Sequence, residues 1–170
     1  MARWEPNPRG RLEQAALALY AERGYDETTV AEIAERAGLT ERTFFRHFAD
    51  KREVLFGGAT MLQDRIVDGV AGSRFEGRRD DLRVRRDIIR SDDGLREREL
   101  RKRAVVSEAI RAGFVARGLD PVRAALVAET GVTLLFVSLE EWLDQDDDRT
   151  LVQVIEATLA ALRTALAHRL

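Results

Sequence analysis

No cysteine occurs in these 170 residues, which excludes disulfide frameworks, thiolate metal sites and thiol catalysis together. Two histidines, His47 and His168, stand too far apart in sequence to form a local metal-binding motif. Only 3 prolines and 12 glycines interrupt the chain, so collagen-like and Pro/Gly-rich disordered classes are excluded as well. Lysine is nearly absent: Lys51 and Lys102 are the lysines among 28 cationic side chains. The longest uncharged apolar-leaning run, Thr130 to Leu139, is too short to span a bilayer. Met1 to Gly10 carries charges and two prolines and lacks the apolar centre of a signal peptide. A cytoplasmic protein with no membrane partner is expected. The formal charge of −2 supplies no global field towards nucleic acid.

What the chain does have is 45% hydrophobic and 34% charged residues, arranged on a helical period. No segment alternates β-branched residues between hairpin turns, so an all-α fold is predicted. Leu12, Ala16, Leu19 and Tyr20 share one face, and Gly24 follows as a stop. Thr29 with Glu32 reads as a capping box opening a short helix that ends at Ala37-Gly38. Thr40 caps a third helix, Glu41 to His47, with Phe44 and Phe48 directed inward. Asp50 with Glu53 opens a fourth, continuing through Met61 and Ile66. Three starts between residues 29 and 50 describe a compact unit of small helices.

Arg74 to Arg103 holds twelve Arg or Lys against eight Asp or Glu. Acids interleave with the bases, as in Arg83 with Asp87, and Leu82, Ile88 and Ile89 face inward. This predicts two salt-bridged, solvated helices divided at Ser91 to Gly94 rather than an RNA- or membrane-binding tract. Asp120-Pro121 starts an apolar helix ending near Trp142-Leu143, and a last helix covers roughly Thr150 to His168. Trp142 reads as an anchor at a helix end or a dimer contact.

Residues 29–48 have the mechanics of a helix-turn-helix. Ala34 is small enough for two helices to cross closely, Gly38 permits a positive-φ turn, and Phe44 anchors the second helix from below. The outer face then carries Glu41, Arg42, Thr43, Phe45 and Arg46, free to enter a major groove. Arg42 suits a guanine edge, and Thr43 suits a base or phosphate. The helix starts at Thr29 and Thr40 present N–H groups to phosphates, and His47 and Lys51 lie where the backbone would pass. Arg3, Arg9 and Arg11 form a candidate basic arm for the minor groove or its phosphates.

These residues resemble the DNA-binding head of TetR-type transcriptional regulators. The likeness runs from Ala15 through Tyr20-Ala21-Glu22-Arg23-Gly24-Tyr25, Thr28-Thr29-Val30, Ile33-Ala34 and Ala37-Gly38. It continues in Thr40, Thr43-Phe44-Phe45-Arg46-His47-Phe48 and Lys51-Arg52-Glu53-Val54-Leu55. Thr28 falls within that matching run and is a further candidate DNA contact. The resemblance implies DNA contacts from Thr29, Thr40, Thr43, Phe45, His47 and Lys51, with Phe45 standing where tyrosine is commonest. It further implies a head over residues 1–55 and a helical body over residues 56–170 that holds a small-molecule effector and dimerises.

The expected protein is a ligand-released homodimeric repressor on a near-palindromic double-stranded operator. Its dimer would form through helices near 121–143 and 150–168. The candidate effector lining is Met61, Leu62, Ile66, Ile89, Phe114 and Phe136, with Phe75 a further possibility. For this family the body is short, the deficit falling near Gly69 to Arg79. A scaffold protein that merely retains the head is the competing expectation. No nucleophile–base pair, metal cluster or glycine-rich phosphate loop supports an enzyme, so neither cofactor nor metal is expected.

Overall fold

The computed structural model describes residues 7–56 and 79–167, and every regular element among them is an α-helix. Helix α1 is Pro8–Arg23, α2 is Val30–Arg36, α3 is Glu41–His47, and α4 is described over 51–56. Then follow α5, Arg79–Ser91; α6, Asp93–Ala116; α7, Pro121–Asp144; and α8, Leu151–Ala167. Met61, Leu62, Ile66, Phe75, the Gly69 to Arg78 stretch, Arg3 and His168 lie outside the described residues.

The chain divides into two compact units, residues 7–56 with 80–99 and residue 79 with 100–167 among those described. In the first, α1 starts with proline at its first turn, where a missing N–H is harmless, and Asn7 accepts from the Arg9 N–H at 3.1 Å. Gly24, at φ 89°, ends the helix, its N–H reaching the Tyr20 carbonyl. Leu12, Ala16, Ile33, Phe44, Leu55 and Phe56 are all buried in a common core. Each large side chain enclosed there contributes about 1.5–3 kcal/mol.

Ile88, Ile89 and Leu95 complete that same core from α5 and the start of α6. Ile89, one of the expected effector-lining residues, is packed in the core of the first unit. Arg98 of α6 donates to Glu53 (2.6 Å) and Asp50 (3.4 Å), and the Arg85 and Arg98 guanidinium groups lie 5.6 and 5.7 Å from the Phe56 ring centroid. The α5 charges pair locally, Arg83 with Asp80 and Arg86 with Asp87, and α5 ends at Ser91 as its sequence predicts.

In the second unit, Asp120 caps α7 by accepting from Val122 and Arg123, with Pro121 at the first helical position. A short loop joins α7 to α8, which pack together as an antiparallel hairpin. Thr150 and Gln153 form a capping box at the start of α8, each side chain engaging the other's backbone N–H. Trp142 is buried and anchors the loop: its Nε1 donates to the Arg149 carbonyl at 2.8 Å, and the Arg79 guanidinium lies 4.7 Å from its ring centroid. Arg79 also donates to the carbonyls of Trp142, Gln145 and Asp147, a cation on the orphan acceptors of a helix C-terminus.

The short uncharged run understates α7. Across its 24 residues the helix is long and apolar enough to cross a membrane by length and composition, because its few charges sit near the ends of the run. Its buried face, Ala124, Ala128, Val132 and Leu143, packs within the second unit. Val122 and Leu126, one turn apart, remain exposed at its start.

Candidate nucleic-acid interface

The turn between α2 and α3 is built as the sequence pattern requires. Thr29 caps α2 with a full capping box: its hydroxyl accepts from the Glu32 N–H at 3.3 Å, and its own N–H donates to the Glu32 carboxylate at 2.8 Å. That backbone hydrogen bond, then the Thr29 hydroxyl, hold the Glu32 carboxyl below its ordinary range, with Arg23 adding to the effect. At the other end of α2, the Leu39 N–H reaches the Ala34 carbonyl and the Gly38 N–H reaches Glu35, closing a Schellman motif. Gly38 sits at φ 64°, the left-handed region where a side chain is strained.

Arg11 of α1 locks this turn from outside. Its guanidinium donates to the Ala37 and Gly38 carbonyls, and a Cβ on Gly38 would lie 2.7 Å from Arg11 Nη2. Arg9 likewise turns inward, bonding Glu13 at 3.2 Å and lying 5.1 Å from the Phe48 ring centroid. The expected minor-groove arm is thus corrected for both residues: a long cationic side chain beside unpaired carbonyls or an aromatic face is held there.

On α3, Thr40 caps the first turn by accepting from the Thr43 N–H at 3.2 Å, and the two hydroxyls lie 3.0 Å apart. Phe44 and Phe48 are fully enclosed, as their pattern predicts, while Phe45 is 55% exposed and meets Phe44 edge-on. Glu41, Arg42 and Arg46 are exposed beside it. Arginine use in the first 46 residues is the informative contrast. Arg9, Arg11, Arg23 and Arg36 are each committed to a carboxylate or carbonyl. Among the described residues, Arg42 and Arg46 make no ion pair, so α3 presents two uncommitted guanidinium groups and an exposed ring on one surface. Arginine forks and apolar contacts are the groups that read base edges.

Three of the expected contact residues have their side chains engaged or enclosed within the head. Thr28 is buried and its hydroxyl donates to the Gly24 carbonyl at 2.8 Å, so it supports the loop. Lys51 directs its ammonium to the carbonyls of Tyr25, Asp26 and Thr28 at 2.9, 3.1 and 3.1 Å, and it lies 4.4 Å from the Tyr25 ring centroid. Three carbonyls match the three donors of a lysine. Residue 51 is also held by its backbone, since the Tyr20 hydroxyl donates to its carbonyl at 2.7 Å. His47 is half-buried, its Nε2 enclosed without a hydrogen-bond partner among the described residues.

In the second unit, α6, α7 and α8 border a groove of about 930 Å³. Phe136, one of the expected lining residues, contributes to it; Phe114 does not. Leu100, Val132 and Val154 provide apolar wall, and Glu129, Glu140, Glu141 and Asp144 provide carboxylates. Sequence periodicity carries no information on which helices border a common space, so it does not bring these acids together. No group of histidine, aspartate and glutamate suited to a metal occurs among the described residues.

Residues 13–56 match the family model for bacterial regulatory proteins of the tetR family. The HTH-type transcriptional regulator TcmR of Streptomyces glaucescens is 52% identical over 46 residues, covering 27% of this chain and 20% of TcmR. The chain thus spans one fifth of that relative's length. An uncharacterised HTH-type transcriptional regulator of Mycobacterium tuberculosis is 27% identical over 177 aligned positions, 95% of this chain and 91% of the relative. Among solved structures, Thermus thermophilus FadR, a TetR-family repressor in complex with lauroyl-CoA, shares the fold with a TM-score of 0.51 at 21% identity, covering 95% of this chain and 96% of that one. NalD of Pseudomonas aeruginosa, the secondary repressor of the MexAB-OprM multidrug efflux pump, gives a TM-score of 0.53 at 17% identity, covering 92% and 95%.

Proposed function

We propose that the chain is a TetR-type transcriptional regulator that works as a cytoplasmic homodimer on a near-palindromic operator and represses until a small molecule releases it. The observation that carries this reading is the surface of α3, where Arg42, Arg46 and Phe45 are exposed and uncommitted while the other arginines of α1 and α2 are engaged. Arg42 reads a base edge, Arg46 and the cap at Thr40 engage the sugar–phosphate backbone, and Phe45 packs on sugar or a thymine methyl. Glu41 is suited to accept from a cytosine amino group. Thr29 and Thr43 present to the backbone what their caps leave uncovered.

A recognition helix of seven residues reads only a few base pairs, so useful specificity needs two heads about one helical turn apart, ~34–36 Å. The exposed Val122, Leu126 and Leu166 supply the means. Antiparallel packing brings the start of α7 and the end of α8 to the same end of their hairpin, and a second copy covering that end builds a four-helix bundle. A ligand in the body then shifts the heads by its differential affinity for the two arrangements.

Selection of bound fragments from a random duplex pool tests the reading. Enrichment of a two-fold symmetric site is expected. Arg42→Ala should weaken binding to that site by about 1–3 kcal/mol and relax one position in each half-site. A pool without enrichment, or an Arg42→Ala protein with unchanged affinity and preference, rejects it.

A further inference from the structure

The groove in the second unit joins two environments. Along its middle, Val132 and Phe136 of α7 face Val154 of α8 and Leu100 of α6. At one end, Glu140, Glu141 and Asp144 lie on the last turns of α7, whose final carbonyls are already capped by Arg79. With Glu129, four carboxylates border the groove against two guanidinium groups, Arg103 and Arg149. Arg149 also serves Asp147, with Nε 2.6 Å from Oδ2, and Asp146 to Asp148 continue the acidic character just beyond. The chain's own chemistry shows what the apolar part accepts: the Arg103 guanidinium carbon lies 3.7 Å from the Phe136 ring centroid, a cation on an aromatic face. Glu129 accepts from the buried Ser107 hydroxyl at 2.7 Å, which fixes its carboxylate at the groove edge.

We propose that this groove binds an amphipathic organic cation, its apolar body against Phe136 and Val132 and its positive centre at the acidic end of α7. The proposal rests on the reading of the protein as effector-responsive and adds the sign and shape of the effector. Charge complementarity selects the occupant. An anion of the same size meets the net excess of lining carboxylates, whereas a cation meets those carboxylates and the Phe136 ring that already holds Arg103. The volume accommodates a ligand of several rings.

Two ions of near-equal size and opposite sign provide the test: tetraphenylphosphonium and tetraphenylborate, titrated calorimetrically into the full-length protein. Phosphonium is expected to bind at least roughly tenfold more tightly than borate, about 1.4 kcal/mol. Its affinity should fall between about 50 and 500 mM salt, as screening weakens the partly exposed carboxylates. Glu140→Gln with Asp144→Asn should reduce phosphonium affinity roughly tenfold while leaving borate unchanged or improved. If that double variant melts early, the single variants and the salt series carry the same decision. Equal or tighter binding of borate, binding of neither ion, or indifference to both substitutions and salt overturns the proposal.

The same samples are then mixed with operator DNA. Phosphonium binding without release of DNA keeps the cation site and refutes its role as the effector site. Release by borate and phosphonium alike refutes the charge preference and keeps the ligand-released repressor.

Discussion

The two units solve the same problem, burying apolar surface with helices, in opposite ways. The first closes on itself: α2 and α3 have seven residues each, its turns are stitched by side chains, and among its described residues the large exposed apolar side chain is Phe45. The second uses helices of 24 and 17 residues and leaves Val122, Leu126, Val137 and Leu166 in water. A self-sufficient core marks the part whose surface chemistry does the recognising. An uncovered face marks the part whose stability is completed by something else.

The sharpest break of that contrast is Phe44→Ala. Removing a fully buried ring beneath the recognition helix should cost about 3–5 kcal/mol, read by chemical denaturation of the first unit, with operator binding lost. Loss of under 1 kcal/mol would mean the head is not the self-contained core described. Leu126→Asp probes the other side. It should convert the proposed dimer to monomer in sedimentation velocity at micromolar concentration and leave the unfolding of the first unit unchanged. A persisting dimer places the interface elsewhere.

Gly38→Ala comes next in size. The left-handed φ costs about 1–2 kcal/mol, and the new Cβ displaces Arg11 from the Ala37 and Gly38 carbonyls. Thermal melting should fall accordingly, and Arg11→Met should recover none of it. The subtlest test concerns Lys51. Its replacement by arginine retains charge for a phosphate but cannot fit a planar fork among three converging carbonyls. Lys51→Arg should therefore lower the melting temperature by a few degrees, with the slope of log affinity against log salt unchanged. A slope reduced by about 0.9 on Lys51→Met, the value for one lost phosphate contact, would reassign the lysine to the DNA.

Much of the first unit is legible in its sequence because its punctuation is local. Thr29 with Glu32, Gly24, Gly38 and the Phe44/Phe48 pair act over three to five residues, within reach of pattern reading, and the structure contains each. What is not legible depends on distance along the chain. The periodicity of α5 shows that Ile88 and Ile89 point inward but not into which core, and they join one formed some fifty residues earlier. Long cations are harder still. Arg9, Arg11 and Lys51 read as surface charge in any one-dimensional pattern, yet each folds back on a carbonyl or ring that only the tertiary fold places nearby. The acids of the groove belong to the same class.

The exposed ring of Phe45 has a calorimetric consequence. Its face stands in water in the free protein, so a complex that covers it removes apolar area from hydration and lowers the heat capacity. Arg42 and Arg46 leave their mark in the salt dependence, as counterions freed from the duplex. Enthalpies of operator binding taken over a range of temperatures would then isolate one aromatic side chain's share of recognition from that of its charged neighbours.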